Sequence, residues 1–204
     1  MTLEQQKFSD IKHTTDYKTI GEDIDYKVFV DEVNKEVVLQ FRETNSRQDW
    51  KHNFQFLPWP LKLGRTIVWT TRGYALAYKS AQNIPITEFL YKRQPGYKGC
   101  IRGWSFGSAM AKIAARHLEC IEWTVDELTT FGDVKCWVNP FYRPKNIERI
   151  REYTTPNDFV TYCVPFYHRD KKCKVGDHFS LKKIFKTEYY HTHYEEYDYT
   201  KWED

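Results

Sequence analysis

Apolar positions along the chain fall into short runs separated by polar, turn-prone stretches. Residues 26–30 and Glu36–Phe41 read as strands. The second, Val37-Val38-Leu39-Gln40-Phe41, is almost unbroken in apolar residues, as a strand covered on both faces requires. Residues 66–70, 99–103, 129–131 and 159–164 are further strand candidates, and residues 73–90 carry a helical period. Residues 107–118 predict a helix whose first turns are built from Gly107, Ser108, Ala109, Ala111, Ala114 and Ala115. Such small side chains let a helix lie close against a sheet. The stretch 54–63 contains Pro58 and Pro60 and cannot be one uninterrupted helix. With Phe56, Leu57, Trp59 and Leu61 it reads either as a hydrophobic rim or as packing over a sheet edge. Residues 1–24 read as a mobile or weakly helical lead-in to one domain over 25–204. The alternation of strands and helices predicts an α/β fold with a mostly parallel central sheet flanked by helices.

Composition narrows the partners. A length of 204 residues suits one domain, which at this size needs no staples. The net charge of +3 arises from 31 basic and 28 acidic residues that are interspersed, which argues against a nucleic-acid partner. Cys100, Cys120, Cys136, Cys163 and Cys173 are odd in number and form no CxxC pair. That argues against a disulfide framework or a zinc site and fits a reducing compartment. Residues 1–16 are polar and lack the apolar stretch of a signal peptide or anchor, so a cytoplasmic location is expected. No run reaches the ~18 apolar residues of a spanning helix. Contact with a membrane surface stays open; integral insertion is not expected.

The chemistry concentrates at Gly103-Trp104-Ser105-Phe106-Gly107, a GxSxG pattern. Its surroundings, a strand-like approach and then a helix, are those in which the pattern forms a sharp strand-to-helix turn exposing a serine nucleophile. The flanking positions must be small for the backbones to pass, and Gly103 and Gly107 are. Ser105 would then sit at a helix N-terminus, where the amide of Phe106 and the helix dipole favour developing negative charge. The plainer alternative is a glycine-rich helix start with Ser105 as its cap.

Other blocks carry a family resemblance. Val37-Val38-Leu39-Gln40-Phe41-Arg42-Glu43-Thr44 followed by Asp49-Trp50 resembles the "FRGT…DW" segment of class 3 lipases. Gly73-Tyr74-Ala75-Leu76-Ala77-Tyr78 resembles their "GF-x-x-aY" stretch, and residues 103–118 resemble "GHSLGGALAxLxAxxL". Thr130-Phe131-Gly132 is similar to the "TFGxPR" strand, and Asn157-Asp158-Phe159-Val160 through Pro165 to "N-x-x-D-x-V-x-x-x-P". These blocks keep family order over roughly residues 37–193. The resemblance implies an α/β-hydrolase fold and hydrolysis of carboxylic esters, with lipid esters among the substrates and no metal or cofactor. It implies Ser105 as nucleophile, Asp158 as triad acid, and the amides of Thr44 and Phe106 as oxyanion donors.

Four histidines follow Asp158: His168, His178, His191 and His193. His168 reads as a loop histidine, and His178 follows a Val175-Gly176 turn that is not catalytic in the family. His191 is favoured as the base, with His193 the alternative and two solvated tail histidines the plainer reading. The chain also departs from the family. Glu43 stands where Gly is usual, and Trp104 and Phe106 replace His and Leu around the serine, which implies a more aromatic, narrower acyl site. Residues 46–53, where a lid would lie, are short and strongly polar. A thioesterase or amidase with the same triad, or a binding protein that kept the fold without turnover, are the competing functions.

Overall fold

Thr2 starts the first helix. In a computed structural model of the chain, describing residues 1–21, 24–42, 55–139, 144–162, 167–168, 171–176 and 186–202, its hydroxyl accepts from the Gln5 amide at 3.2 Å while the Gln5 side chain accepts from the Thr2 amide at 2.7 Å. This reciprocal cap satisfies two donors that a helix start otherwise leaves orphaned. The helix, α1 (Leu3–His13), buries Phe8 and Ile11 completely. Of the mobile or weakly helical lead-in expected over 1–24, residues 3–13 are a helix that packs into the fold rather than a loose segment. Polar composition hid this, because α1 also buries Glu4 and Lys7.

Those buried charges are paired. Lys7 Nζ lies 3.0 Å from Glu4 Oε1 and 2.6 Å from Glu127 Oε1, and Arg151 Nη1 lies 2.9 Å from Glu4 Oε1. Removing one member would leave an uncompensated charge, which is why such a network must be complete to be tolerated.

After α1 come β1 (Lys18–Ile20), β2 (Ile24–Asp31) and β3 (Glu36–Phe41), joined antiparallel. A separate hairpin follows, β4 (Pro58–Leu63) with β5 (Thr66–Thr71). The helical stretch expected over 73–90 is two helices, α2 (Arg72–Ser80) and α3 (Ile84–Lys92). The break falls at Gln82 and Asn83, both with positive φ, and Pro85 then opens the second helix. A single Pro can be absorbed in a first turn, but two successive left-handed residues end a helix. The chain continues through β6 (Lys98–Trp104), α4 (Phe106–Cys120), β7 (Val125–Phe131), β8 (Ile147–Thr154), β9 (Lys172–Lys174) and α5 (Thr187–Thr192).

Among the described residues the main sheet has seven strands in the order β1-β2-β3-β6-β7-β8-β9, parallel from β3 to β9. The register sets Phe41 beside Gly103, Trp104 beside Phe131, and Phe131 beside Tyr153, so β3, β6, β7 and β8 end at one level. Clefts beyond the carboxyl ends of parallel strands are where α/β sheets place ligands. The strand expected over 159–164 is a 3-10 helix, Phe159–Tyr162, in its described part. Asp158 caps that turn, its side chain accepting from the Val160 amide at 3.1 Å, a local bond that competes with extended backbone. β1, β4, β8 and β9 went unanticipated: β1 and β9 are three residues each, β4 carries Pro58 and Pro60, and β8 (Ile-Glu-Arg-Ile-Arg-Glu-Tyr-Thr) is too charged to read as a buried strand.

Phe8 meets Trp104, Phe131 and Tyr194 at ring-centroid distances of 5.5, 5.2 and 5.6 Å. Phe8→Ala should cost about 3–5 kcal/mol of stability, read from urea denaturation; a loss under about 1 kcal/mol would show that α1 does not anchor this cluster. Burial pushes the Glu127 carboxyl up, but the charge and hydrogen bond of Lys7, with help from Thr129 and Arg102, hold it below its usual value of 4.5. The folded state thus favours the charged form, so this stabilisation is full above that value and fades as pH falls below it. The stability difference between wild type and Glu127→Gln should accordingly be largest near neutrality and shrink on titration to about pH 3.

Candidate active site

β6 ends at Trp104 and α4 begins at Phe106, leaving Ser105 alone to turn the chain. It does so at φ 55° and ψ −122°, a backbone state that L residues adopt only when their surroundings impose it. The Ser105 amide donates to the Phe131 carbonyl at 3.0 Å, and its carbonyl accepts from the Ser108 amide at 2.8 Å. The motif glycines are sterically required. A Cβ on Gly103 would stand 2.4 Å from the Gly107 oxygen, and one on Gly107 would stand 2.8 Å from the backbone of Phe41 and Arg42. Ser105 lies at the N-terminus of a 15-residue helix, so the Phe106 amide belongs to the turn carrying the positive end of the dipole.

Two distant segments close on this serine. His191 Nε2 is 2.6 Å from Ser105 Oγ, and His191 Nδ1 is 2.7 Å from Asp158 Oδ2. All three side chains are buried. Asp158 Oδ2 also accepts from the Tyr194 hydroxyl at 2.9 Å, so both carboxylate oxygens have partners. Burial and the Asp158 charge push the Tyr194 hydroxyl well above its ordinary pKa, which keeps it a neutral donor. An imidazole held between a hydroxyl and a fully bonded carboxylate can take the hydroxyl proton while the carboxylate stabilises the imidazolium.

The histidine is seated by groups the sequence reading did not assign. The Trp104 indole N–H donates to the His191 carbonyl at 3.0 Å. Gly132, at φ +54°, lies so near the ring that a Cβ there would stand 2.8 Å from His191 Cε1 and 3.0 Å from Nδ1. The turn carrying Gly132 is pinned from below: buried Lys112 Nζ is 3.0 Å from Asp133 Oδ1 and 3.4 Å from Glu152 Oε1, and it donates to the Val134 carbonyl. From the other side, α1 grips the segment after His191, with Lys12 Nζ 2.7 Å from the Thr192 carbonyl and Gln5 Nε2 3.1 Å from that of Tyr197. Tyr194, three residues past the histidine, was likewise unassigned, and its bond to Asp158 is visible only in the structure.

His193, the alternative base, faces elsewhere. Its ring stacks on Tyr189 at 4.2 Å, and its Nδ1 lies 2.9 Å from the Tyr189 carbonyl. His168 is exposed and bridges Trp137 through its backbone. Thr44, Glu43, residues 46–53 and His178 lie outside the described residues. No group of three or more His, Cys, Asp or Glu among the described residues could hold a metal ion, and none of the described helices is long and apolar enough to cross a membrane.

No protein-family model matches the chain, and no curated protein matches it. Solved structures do. It is similar to the Rhizomucor miehei lipase in complex with its propeptide at 22% identity and a TM-score of 0.66, covering 79% of this chain and 55% of that one. A mono- and diacylglycerol lipase from Aspergillus oryzae matches at 22% identity and a TM-score of 0.59, with coverage of 81% and 62%. So does a triacylglycerol lipase whose catalytic centre is a serine protease triad, at 21% identity and 0.63, with coverage of 79% and 65%. The chain thus spans between about half and two thirds of the length of these lipases, and the likeness establishes the fold as that of the α/β hydrolases.

Gly132→Ala should leave the fold intact while moving the His191 ring. The rate at which a fluorophosphonate labels Ser105 is expected to drop about 100-fold, with the melting curve shifted by a few degrees. A variant labelled at the wild-type rate would mean that Gly132 does not position the histidine.

Proposed function

We propose that the chain is a serine hydrolase that cleaves carboxylic esters through an acyl-enzyme. The observation that carries this reading is the continuous hydrogen-bonded relay from Ser105 through His191 to Asp158, set at the tight turn. Ser105 Oγ attacks the ester carbonyl as His191 Nε2 takes its proton. The amide of Phe106, with that of Thr44 as the second donor, holds the resulting oxyanion. Collapse expels the alcohol, which receives the proton from His191 and leaves the acyl group on Ser105. Water then gives a proton to His191, attacks the acyl carbonyl and releases the acid, returning the proton to Ser105. No metal or organic cofactor enters any step. Asp158 keeps His191 in the tautomer with the proton on Nδ1 and stabilises the imidazolium, and Tyr194 holds Asp158 in place. The lipases that share this fold act on acylglycerols, which favours lipid esters as the substrate class.

Hydrolysis of a short-chain p-nitrophenyl ester tests the roles. Ser105→Ala and His191→Ala should each lower kcat by about 10⁶-fold, and Asp158→Asn by about 10⁴-fold. His193→Ala should stay within about twofold, since truncating a half-exposed side chain away from the relay removes no transition-state contact. Full activity in Ser105→Ala would contradict the proposal, and loss in His193→Ala alone would move the base to that residue.

A further inference from the structure

The β4–β5 hairpin breaks the rule that the outer face of a surface strand pair is polar. Its register pairs Pro60 with Trp69, Lys62 with Ile67, and Leu61 with Val68. Paired residues in an antiparallel ladder share a face. Leu61, Leu63 and Val68 point inward and join the core. The outward face carries Trp69 and Ile67, exposed by 50% and 62%, beside Pro60. Leu57, just before β4, is 67% exposed, and Trp59 is 37% exposed with the Arg72 guanidinium 5.3 Å above its ring. Contiguous exposed apolar residues on a folded chain mark a surface that meets something other than water.

Charge indicates what that is. From residue 55 to residue 87 there is no Asp or Glu, while Lys62, Arg65, Arg72 and Lys79 are all present and exposed. Lys62 shares the outward face with Ile67, and Arg65 sits in the turn. Indole rings and branched aliphatics flanked by Lys and Arg are the composition that seats in the headgroup region of an anionic bilayer. A second copy of the chain fits poorly, because an isologous pairing through this face would bring these cations together without an acidic counterpart in the hairpin.

We propose that the outward face of this hairpin docks the protein on anionic phospholipid membranes. The hairpin is coupled to the site: β5 runs directly into α2, whose Tyr74 ring packs edge-on against Phe106 at 5.9 Å. Under the ester-hydrolase reading, on which this purpose rests, docking would bring Ser105 to esters held in a bilayer. Binding itself is measured without turnover.

Sedimentation of the full chain, carrying Ser105→Ala, with vesicles of phosphatidylcholine alone and with about one third phosphatidylserine tests this. Tighter binding to the anionic vesicles, weakened by added salt, is expected. Removing two cations in Lys62→Gln/Arg65→Gln should weaken it about 30-fold. Ile67→Ser/Trp69→Ser should weaken it at least about tenfold while keeping the wild-type melting curve, since both side chains face solvent. Equal or absent binding to both vesicle types, or both variants binding as wild type, overturns the proposal. Concentration-dependent self-association lost in Ile67→Ser/Trp69→Ser, without vesicle binding, assigns the face to a second copy and overturns it as well. Vesicle binding that persists while wild type fails to hydrolyse any ester would sink the functional reading and leave docking standing.

Discussion

Ser105 occupies φ 55° and ψ −122° because three stretches of backbone meet around it with no room for side chains. β6 must end, α4 must begin, and the end of β3 must pass close to Gly107. Relaxing that turn would release about 1–3 kcal/mol of backbone strain locally. The core prevents it. Ala109, Met110, Ala111, Ile113, Ala114 and Ala115 bury the whole first half of α4 against the sheet, and helix position therefore fixes the serine. Strain is held by packing and expressed where a hydroxyl has to project toward substrate.

The rest of the site is brought to the serine by the two ends of the chain. α1 and the segment from α5 onward have no strand in the parallel sheet, yet they share the aromatic cluster of Phe8, Trp104, Phe131, Tyr153, Tyr194 and Tyr199. Because α5 has only six residues, its own helical bonds cannot hold it, and tertiary contacts do. Trp104, Gly132 and Lys12 each fix a different part of the His191 segment. Lys112, with Asp133 and Glu152, secures the Gly132 turn in turn. The charges of α1 serve the same end, tying the helix to β7 and β8 from beneath.

Legibility in the sequence followed how local each cause is. The Ser105 turn could be read because its glycines answer a steric demand within five residues, and the small face of α4 answers another just beyond. Asp158 and His191 came from the order of blocks resembling a family, and only geometry separated His191 from His193. What stayed hidden was decided over long sequence distances. α1 read as part of a mobile or weakly helical lead-in because Glu4 and Lys7 are charged, while the partners that let them be buried, Glu127 and Arg151, lie more than 100 residues away. β8 was masked by the same network. The stretch 73–90 was read by its period alone, although Asn83 with Pro85 two residues on is a stop signal, and the left-handed backbone at Gln82 and Asn83 divides it.

The central claim is that packing makes Ser105 an activated nucleophile, and covalent capture tests it most directly. Incubation with a fluorophosphonate followed by peptide mass mapping should place one adduct on Ser105, formed with a single rate constant. Ser105→Ala should take up no label under the same conditions, and His191→Ala should label slower by orders of magnitude. A folded wild-type protein that resists the probe, or an adduct of equal yield on Ser105→Ala, would contradict the account.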